Sequence, residues 1–400
     1  MRKDRYEIDG FSFSTVSAGI KRPDSNRPDF ALIYAEKPAV AVGVTTTNLV
    51  CAAPVIVTRQ RLLGGFSQAV LINSGNANAF TGESGIRDSL ALASGVAELL
   101  SINEEFVIPM STGVIGHPLP LSRMRAKLPD LTRSLHSSKF EDVASAIMTT
   151  DTKPKIACSD KTLSNGPLKI LGMAKGAGMI APNMATMLAV IIVDALVERS
   201  LLRKVFVDIN RRTFNRLTID GDTSTNDTAL VLSGGSHCSM KLKSQMSDEK
   251  IFSEALFDVC SSLAYQIVKD GEGATKVVEI IVKGAASEAA AEKVARRIAE
   301  SPLVKTAFHG EDPNWGRIVC AAGSAGISFD PSKIDLWMGA IQIVRSGNLV
   351  DGDWETPASE EMGKEEFSVT IDLKKGPCEA SVLTCDLSKE YVEINADYRS

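Results

Sequence analysis

The sequence predicts a protein of mixed α and β structure with strands and helices in irregular order. Three observations predict this class: apolar runs rich in β-branched residues recur along the chain, amphipathic helix patterns stand between them, and no segment repeats at a fixed period. Of the 400 residues, 44% are hydrophobic and 23% charged. This composition is typical of a soluble globular protein of two or three domains.

The expected elements follow from these patterns in chain order. Strands are predicted over residues 40–44, 69–72, 188–193, 277–282, 367–373 and 391–394. Helices are predicted over residues 87–100, 200–214, 251–268 and 287–300, and Pro302 follows the last of them as a stop signal. Loops are expected over residues 21–29, 243–250 and the acidic stretch 346–366.

The net charge and the lengths of the apolar runs argue against several classes of protein. With 44 basic against 49 acidic side chains the net charge is −5, which argues against nucleic acid as the main partner. No apolar stretch reaches the roughly 20 residues of a membrane-spanning helix, and the polar start predicts no secretory signal. We therefore expect a cytoplasmic protein without a membrane or nucleic-acid partner. The 7 cysteines are widely spaced without metal-binding motifs and are expected to be reduced packing residues.

Four segments place glycine, threonine, asparagine and aspartate beside strong apolar runs, where scaffolds present polar groups to ligands. They are residues 73–78, 110–116, 175–187 and 220–228. The third is not a phosphate loop, because Lys175 precedes its glycines and Ala181 stands where a dinucleotide loop needs glycine. Instead, Thr186 lies at the mouth of the strand predicted over residues 188–193. This is a place for a nucleophile, although an ordinary strand-start threonine fits the pattern alone.

A threonine hydroxyl needs a base before it can attack a carbonyl carbon. None of the 4 histidines stands near a serine-hydrolase motif. A threonine at a chain terminus has its own base, since its α-amino group has a pKa of about 8. Cleavage of the bond between Ala185 and Thr186 would supply that base.

Metal binding is a weaker interpretation of two aspartate motifs, Asp220-Gly-Asp222 and Asp270-Gly-Glu272. The segment that begins at Asp220 opens like a calcium loop but has Thr225 and Val231 where glycine and glutamate are required. We expect no metal. Residues 73–78 and 220–228 fit hydrogen-bonded turns as well as a binding site, and Trp315 is expected to pack in a core.

Together the motifs resemble the ornithine acetyltransferases of arginine biosynthesis, the ArgJ family, over essentially the whole chain. The resemblance rests on KGAGMIAPNMATML around Thr186, NSGNANA at 73–79, STGVIG at 111–116, TTDT at 149–152, DGDTSTNDT at 220–228, DGEGATK at 270–276, HGEDPNWGR at 309–317 and the terminal YVEINADYRS. It implies a two-domain α/β protein, with an αββα sandwich of the ArgJ/DmpA type and an N-terminal threonine nucleophile formed by self-cleavage. It also implies acetyl transfer from N-acetylornithine to glutamate through an acetyl-threonine intermediate.

Carried over by position, the resemblance implies cleavage between Ala185 and Thr186, with Thr186 as the nucleophile. Thr112 and Gly113 match the oxyanion hole. The substrate-binding positions are Thr149, Lys175, Thr186, Glu272, Asn395 and Ser400. We hypothesise that Lys175 meets a substrate carboxylate and Glu272 an ammonium group.

The resemblance also implies an α chain of residues 1–185 and a β chain of residues 186–400, which together build the larger domain. Two such pairs would form a heterotetramer. No cofactor is implied, and use of acetyl-CoA as a second donor is left open. Two other classes also stay open: a self-processed amidase or aminopeptidase with the same nucleophile, and a non-catalytic amino-acid-binding module.

Overall fold

The structure is a computed structural model that describes residues 6–164, 166–181, 187–234, 241–242 and 246–397. The strands are β1 Phe11–Val16, β2 Phe30–Thr45, β3 Phe66–Asn73, β4 Val107–Ser111, β5 Lys155–Leu163, β6 Gly166–Lys175, β7 Leu188–Val193, β8 Leu196–Val197, β9 Thr228–Ser233, β10 Lys241–Leu242, β11 Val277–Ala285, β12 Asp335–Met338, β13 Ile341–Arg345, β14 Asn348–Leu349, β15 Glu366–Asp372 and β16 Cys378–Cys385. The helices are α1 Ala53–Gly64, α2 Gly82–Leu100, α3 Leu121–Arg133, α4 Phe140–Ala146, α5 Arg199–Arg212, α6 Met246–Lys269, α7 Glu288–Ala299, α8 Pro302–His309, α9 Trp315–Gly323, α10 Glu355–Met362 and α11 Lys389–Asp397.

The largest sheet has 8 strands in the order β4-β3-β2-β9-β7-β6-β5, with β1 on the free edge of β2. Its 16-residue strand β2 belongs to two halves of this sheet. The first part of β2 pairs with β1 and β3, and the register with β3 shifts between Tyr34 and Ala39. After that irregularity, residues 40–45 pair with β9. The bend in β2 lets the two halves face one another.

Alternating side chains of these strands sort into three apolar layers, as expected for strands buried on both faces. Between the two halves lies a core that includes Ile33 and Ile72 from one half and Val190 and Leu230 from the other. The outer face of the first half packs against α2 and α3. The outer face of the second half packs against α5 and α6. The larger domain is therefore an αββα sandwich, which confirms the predicted fold class.

The second domain is a sheet of 6 strands in the order β14-β13-β12-β15-β11-β16. Helices α7, α8, α9 and α10 contribute to its core, and Trp315 packs against that core as expected. Ser287 caps α7, since its side chain accepts a hydrogen bond from the Ala290 N–H at 3.2 Å. Pro302 is the first residue of α8, because its fixed φ suits the first helical position.

Three sequence predictions are wrong in detail. Residues 391–394, predicted as a strand, lie inside helix α11, where Val392 is 63% exposed. The stretch 346–366, predicted as a loop, contains β14, α10 and the first residue of β15. The many acidic residues of this stretch led to the loop prediction. Its helix nevertheless buries Ala358 and Met362 on one face. Of the loop predicted over residues 243–250, residues 246–250 belong to α6 and residues 243–245 lie outside the described ones.

One described helix, α6, is long and apolar enough over Ser247–Lys269 to cross a membrane by length and composition. Its residues Phe252, Leu256 and Leu263 are fully buried against the second half of the large sheet. Burial of this kind is typical of a core helix. The cysteines among the described residues are free thiols, and Cys238 lies outside them.

Removal of a central side chain from the sandwich should show how much the layered core contributes. Ile191 on β7 is fully buried, so Ile191→Ala should lower the free energy of unfolding by about 2–5 kcal/mol through lost burial and a cavity. Urea denaturation measures the change. Leu63→Ala is the matched control, because Leu63 is 77% exposed. Equal stability of the two variants would contradict the layered core.

Candidate active site

The polar segments found in the sequence converge at one end of the large sheet. Strands β3, β4 and β6 end there, and β7 and β9 begin there, as the pairs Asn73↔Ser111 and Leu188↔Thr228 show. A cavity of about 80 Å³ at this end is lined by six residues predicted from the sequence: Thr112, Gly113, Thr149, Lys175, Glu272 and Asn395. The remaining predicted residues, Ala185, Thr186 and Ser400, lie outside the described residues.

Lys175, the last residue of β6, supplies the buried positive charge of the cavity. Its Nζ donates to Thr149 Oγ1 at 2.7 Å and to Thr112 Oγ1 at 3.3 Å. Burial lowers the pKa of Lys175, and the nearby Asp151 carboxylate opposes that effect. Because Thr112 Oγ1 accepts a hydrogen bond from Lys175, its own O–H is left to donate to another acceptor. This is the arrangement that an oxyanion donor requires.

A chain of buried ion pairs holds Lys175 in place. Asp151 Oδ2 lies 3.7 Å from Lys175 Nζ, and Asp151 Oδ1 lies 2.7 Å from Lys155 Nζ. Lys155 in turn lies 2.6 Å from Asp270 Oδ2. Burial alone would raise the pKa of Asp151, but Lys175 and Lys155 lower it well below its ordinary value. The backbone N–H of Gly176 also donates to Asp151, at 2.6 Å, so this carboxylate is ionised and fully engaged.

Glu272 supplies the negative charge on the opposite wall. Its backbone N–H donates to the Ala177 carbonyl at 2.8 Å, and its Oε2 accepts from Asn395 Nδ2 at 2.8 Å. A Cβ at position 178 would lie 2.2 Å from Glu272 Oε2, so glycine leaves room for the carboxylate in its observed position. Asn395 also donates to the Tyr391 carbonyl one helical turn earlier. Helix α11, where a strand was predicted, thus positions Asn395.

Gly113 allows two loops to approach closely at the cavity. Its φ is 133°, and a Cβ there would lie 2.3 Å from the backbone carbon of Gly75. The Thr112 N–H is engaged by the Asn73 carbonyl at 3.0 Å. Both loops are held by side chains that bond to backbone: Asn226 Nδ2, for example, donates to the carbonyls of Ala77 and Ser111. Residues 73–78 therefore form a hydrogen-bonded loop, and this loop lies next to the candidate binding site.

Sequence reasoning missed two buried carboxylates at this site. Asp151 lies within the quoted TTDT motif, and Asp227 within DGDTSTNDT, but neither was assigned a role. Asp227 Oδ1 accepts the Met187 N–H at 3.0 Å, and Thr228 N–H donates to the Met187 carbonyl at 3.0 Å. Burial raises the pKa of Asp227 well above its ordinary value. These contacts fix the residue directly after the predicted nucleophile. The available signal for Asp227 was its place directly before Thr228, the first residue of β9.

The aspartates considered as metal ligands have other partners. Asp220 accepts the N–H groups of Met179 and Ile180 at 2.6 and 2.8 Å, and Asp270 is paired with Lys155. Among the described residues no group of three His, Cys, Asp or Glu side chains is placed to hold a metal ion. No histidine of the described part of the chain lines the cavity, so a hydroxyl nucleophile there would need another base.

Comparison with known proteins gives consistent matches. A sequence model described as the ArgJ family matches residues 12–400. The arginine biosynthesis bifunctional protein ArgJ of Desulfotalea psychrophila is 48% identical over 98% of this chain and 100% of its own length. The protein of the same name from Geobacter sulfurreducens is 47% identical, with the same coverage. A crystal structure of the Bacillus halodurans bifunctional argJ protein is 38% identical, with a TM-score of 0.48, over 51% of this chain and 96% of that one.

Loss of the Asp151 charge should be costly, because two buried lysines would lose their counter-ion. Asp151→Asn should lower the free energy of unfolding by about 3–5 kcal/mol at neutral pH. Since the folded pKa of Asp151 is lowered, this stability is present above an unfolded pKa of about 4 and is lost as the pH falls toward the folded pKa. The difference in free energy of unfolding between wild type and variant, measured by urea denaturation, should therefore become smaller below pH 4.

Asp130→Asn is the matched control. Its carboxylate pairs on the surface with Lys127 at 3.5 Å and with Arg133 at 2.7 Å. Such exposed pairs contribute about 0–1 kcal/mol each. If Asp151→Asn lowered the free energy of unfolding no more than Asp130→Asn does, the stabilising role of the buried ion pairs would be contradicted.

Proposed function

The chain belongs to the ArgJ family, and on that premise we propose that it transfers an acetyl group from N-acetyl-L-ornithine to L-glutamate. It is an acetyltransferase of arginine biosynthesis. One observation supports the choice of substrates: Lys175 and Glu272 present opposite charges on two walls of one cavity. An amino-acid substrate carries a carboxylate for the first and an amine for the second. Thr149 and Asn395 hydrogen-bond to these two groups and orient them.

In the proposed reaction, Thr186 Oγ1 attacks the acetyl carbonyl carbon of acetylornithine. The α-amine of Thr186 takes the hydroxyl proton and passes it to the departing ornithine amine as the amide C–N bond breaks. The product is an acetyl ester on Thr186. The neutral glutamate amine then attacks the ester carbonyl carbon, and the ester C–O bond breaks. The α-amine of Thr186 takes a proton from the attacking amine and returns it to Thr186 Oγ1, which gives acetylglutamate and restores the hydroxyl.

Each attack creates an oxyanion that needs hydrogen-bond donors. The proposed donors are the Thr112 hydroxyl and the Gly113 N–H. The first is supported by the Lys175 contact, since Lys175 Nζ occupies a lone pair of Thr112 Oγ1 at 3.3 Å and leaves its proton free to donate. Loss of one such donor typically costs about 2.7–4 kcal/mol of barrier.

A free α-amine at Thr186 requires cleavage after Ala185, which we propose to be autocatalytic. It would give an α chain of residues 1–185 and a β chain of residues 186–400. The large sheet explains how these chains would stay together, because β2 pairs with β9 and β6 pairs with β7 across the cleavage point. We further propose a heterotetramer of two such pairs, located in the cytoplasm. It needs no cofactor, and acetyl-CoA is a candidate second donor.

The amidase alternative uses the same nucleophile with water as the acceptor. Family membership favours the transferase. A direct assay separates the two: with acetylornithine alone or with glutamate added, a hydrolase consumes the substrate at equal rates. The transferase makes acetylglutamate only when glutamate is present. An amino-acid-binding module would turn over neither substrate.

Self-cleavage can be tested by intact-mass analysis of the purified protein beside Thr186→Ala. The wild-type protein should give two fragments, the larger beginning at Thr186, whereas the variant should stay whole and inactive because it lacks the hydroxyl. Thr162→Ala is the control, since Thr162 is exposed on β5, and should be cleaved as wild type is. An uncleaved wild-type chain that still transfers acetyl groups would rule out the terminal amine as the base.

The role of Glu272 can be tested through its charge. Glu272→Gln keeps the size and the Asn395 contact but loses the negative charge, so KM for acetylornithine should rise about tenfold or more, as for loss of a hydrogen bond to a charged group. Steady-state kinetics measure the change, with Glu98→Gln on the exposed side of α2 as control. An unchanged KM would remove Glu272 from substrate binding.

A further inference from the structure

A second cleft, of about 310 Å³, opens beside the active-site cavity. We call it the basic cleft; its lining includes Lys21, Arg22, Arg27, Asp29, Gly75 and Thr149. Neither the family resemblance nor the proposed reaction assigns a role to its three cations. They lie in the loop between β1 and β2, in a part of the chain from which the sequence analysis predicted only a loop.

The basic cleft adjoins the active-site cavity. Thr149 lines both cavities, and its Oγ1 accepts from Lys175 Nζ at 2.7 Å. Gly75, on the wall of the basic cleft, is the residue against which Gly113 packs so closely that a Cβ would not fit. A single layer of backbone thus separates the cleft from the proposed oxyanion donors.

The charges that line the cleft leave a positive surplus. Among the described residues that line it, Asp29 is the one carboxylate. Both of its oxygens are engaged by backbone N–H groups, from Ala18 at 2.7 Å and Ile20 at 2.6 Å. One guanidinium nitrogen of Arg27 donates to the carbonyls of Ser145 and Met148, which are neutral acceptors. Lys21 has a contact of its own, but Arg22 and Arg27 alone outnumber the one carboxylate, and this balance favours an anionic ligand.

The described residues of the active-site cavity offer little attraction to a second anion. Among the described residues that line it, Lys175 is the one cation, and Asp151 already lies 3.7 Å from it. Glu272 on the opposite wall would repel a further negative charge. Acetylornithine has a single carboxylate, so it poses no difficulty, whereas glutamate has two and acetyl-CoA carries several phosphate charges. The basic cleft supplies further cations for the extra negative charge of these substrates.

We propose that the basic cleft is an anion subsite of the acetyl-transfer site, which binds the anionic group that a substrate carries in addition to those of acetylornithine. For the acceptor this group is the side-chain carboxylate of glutamate; for a thioester donor it is the phosphates of acetyl-CoA. The inference rests on the proposed function. It explains how one nucleophile can serve a substrate with one carboxylate and then a substrate with two.

The test uses the double variant Lys21→Ala/Arg22→Ala, in which two exposed side chains are removed and the Arg27 contacts are kept. Initial rates are measured with acetylornithine and glutamate, and separately with acetyl-CoA and glutamate. KM for one of the two anionic substrates should rise about tenfold, the size of one lost hydrogen bond to a charged group, and KM for acetylornithine should not change. A rise for glutamate in both assays identifies the carboxylate as the ligand, and a rise for acetyl-CoA alone identifies the phosphates.

Two controls keep the test specific. Arg123→Ala/Arg125→Ala removes the same charge from exposed positions of α3 and should leave every KM unchanged. Arg22→Glu should raise the affected KM further than Arg22→Ala does. Added salt should also raise that KM, and more in the wild-type protein than in the double variant. Urea unfolding of each variant checks that the fold is intact.

Unchanged KM values for both anionic substrates, or an equal rise for acetylornithine, would overturn the subsite. A wild-type protein that makes no acetylglutamate from acetylornithine and glutamate would instead overturn the proposed function. The two failures are distinguished by the wild-type rate alone.

Discussion

The buried charge chain from Lys175 through Asp151 and Lys155 to Asp270 is the interaction on which the site depends. It connects the end of β6, the segment before β5 and the loop after α6. Asp270 lies two residues before Glu272, so the chain also fixes the position of the opposite wall. Buried ions of this kind add little net stability, but their partners cannot be removed singly without large cost. The structure uses them to fix the geometry of the site.

The sandwich explains why these charges can be brought together. Strand ends from both halves of the large sheet meet at one edge, so polar loops from distant parts of the chain become neighbours. Close packing of those loops depends on glycine at two places: Gly113 against Gly75, and Gly178 against the Glu272 carboxylate. The same edge brings the basic cleft to Thr149. Substrate cavity and anion subsite are consequences of one sheet topology.

The sequence predicted the apolar elements best, because their periodicity reports burial directly. Residues 188–193 were predicted and observed as the same strand, β7. The strand predicted over residues 391–394 was wrong. Its Tyr, Val and Ile residues favour strands, but Lys389, Glu390 and Glu393 are good helix formers and the segment is exposed. Helix α10 was missed because two buried residues give a weak helical pattern, whereas the acidic residues around them indicated an exposed loop.

Six site residues named from motif resemblance do line one cavity, but their contacts could not be read from the sequence. Lys155 and Asp151 pair four residues apart, while Asp270 joins them from 115 residues further along the chain. Such pairs depend on the strand order β7-β6-β5, which no local pattern encodes. The basic cleft was missed for the same reason, because three cations in a polar loop are ordinary until the fold places them beside the active site.

The central claim is that the acetyl group passes through Thr186, and trapping of the intermediate tests it most directly. The purified protein is mixed with N-acetylornithine without glutamate, quenched in acid, digested and analysed by mass spectrometry. We expect one acetyl group on the peptide that begins at Thr186, and its loss as acetylglutamate when glutamate is added before the quench. Release of ornithine without acetylation of Thr186, or acetylation at another residue that glutamate discharges, would contradict it.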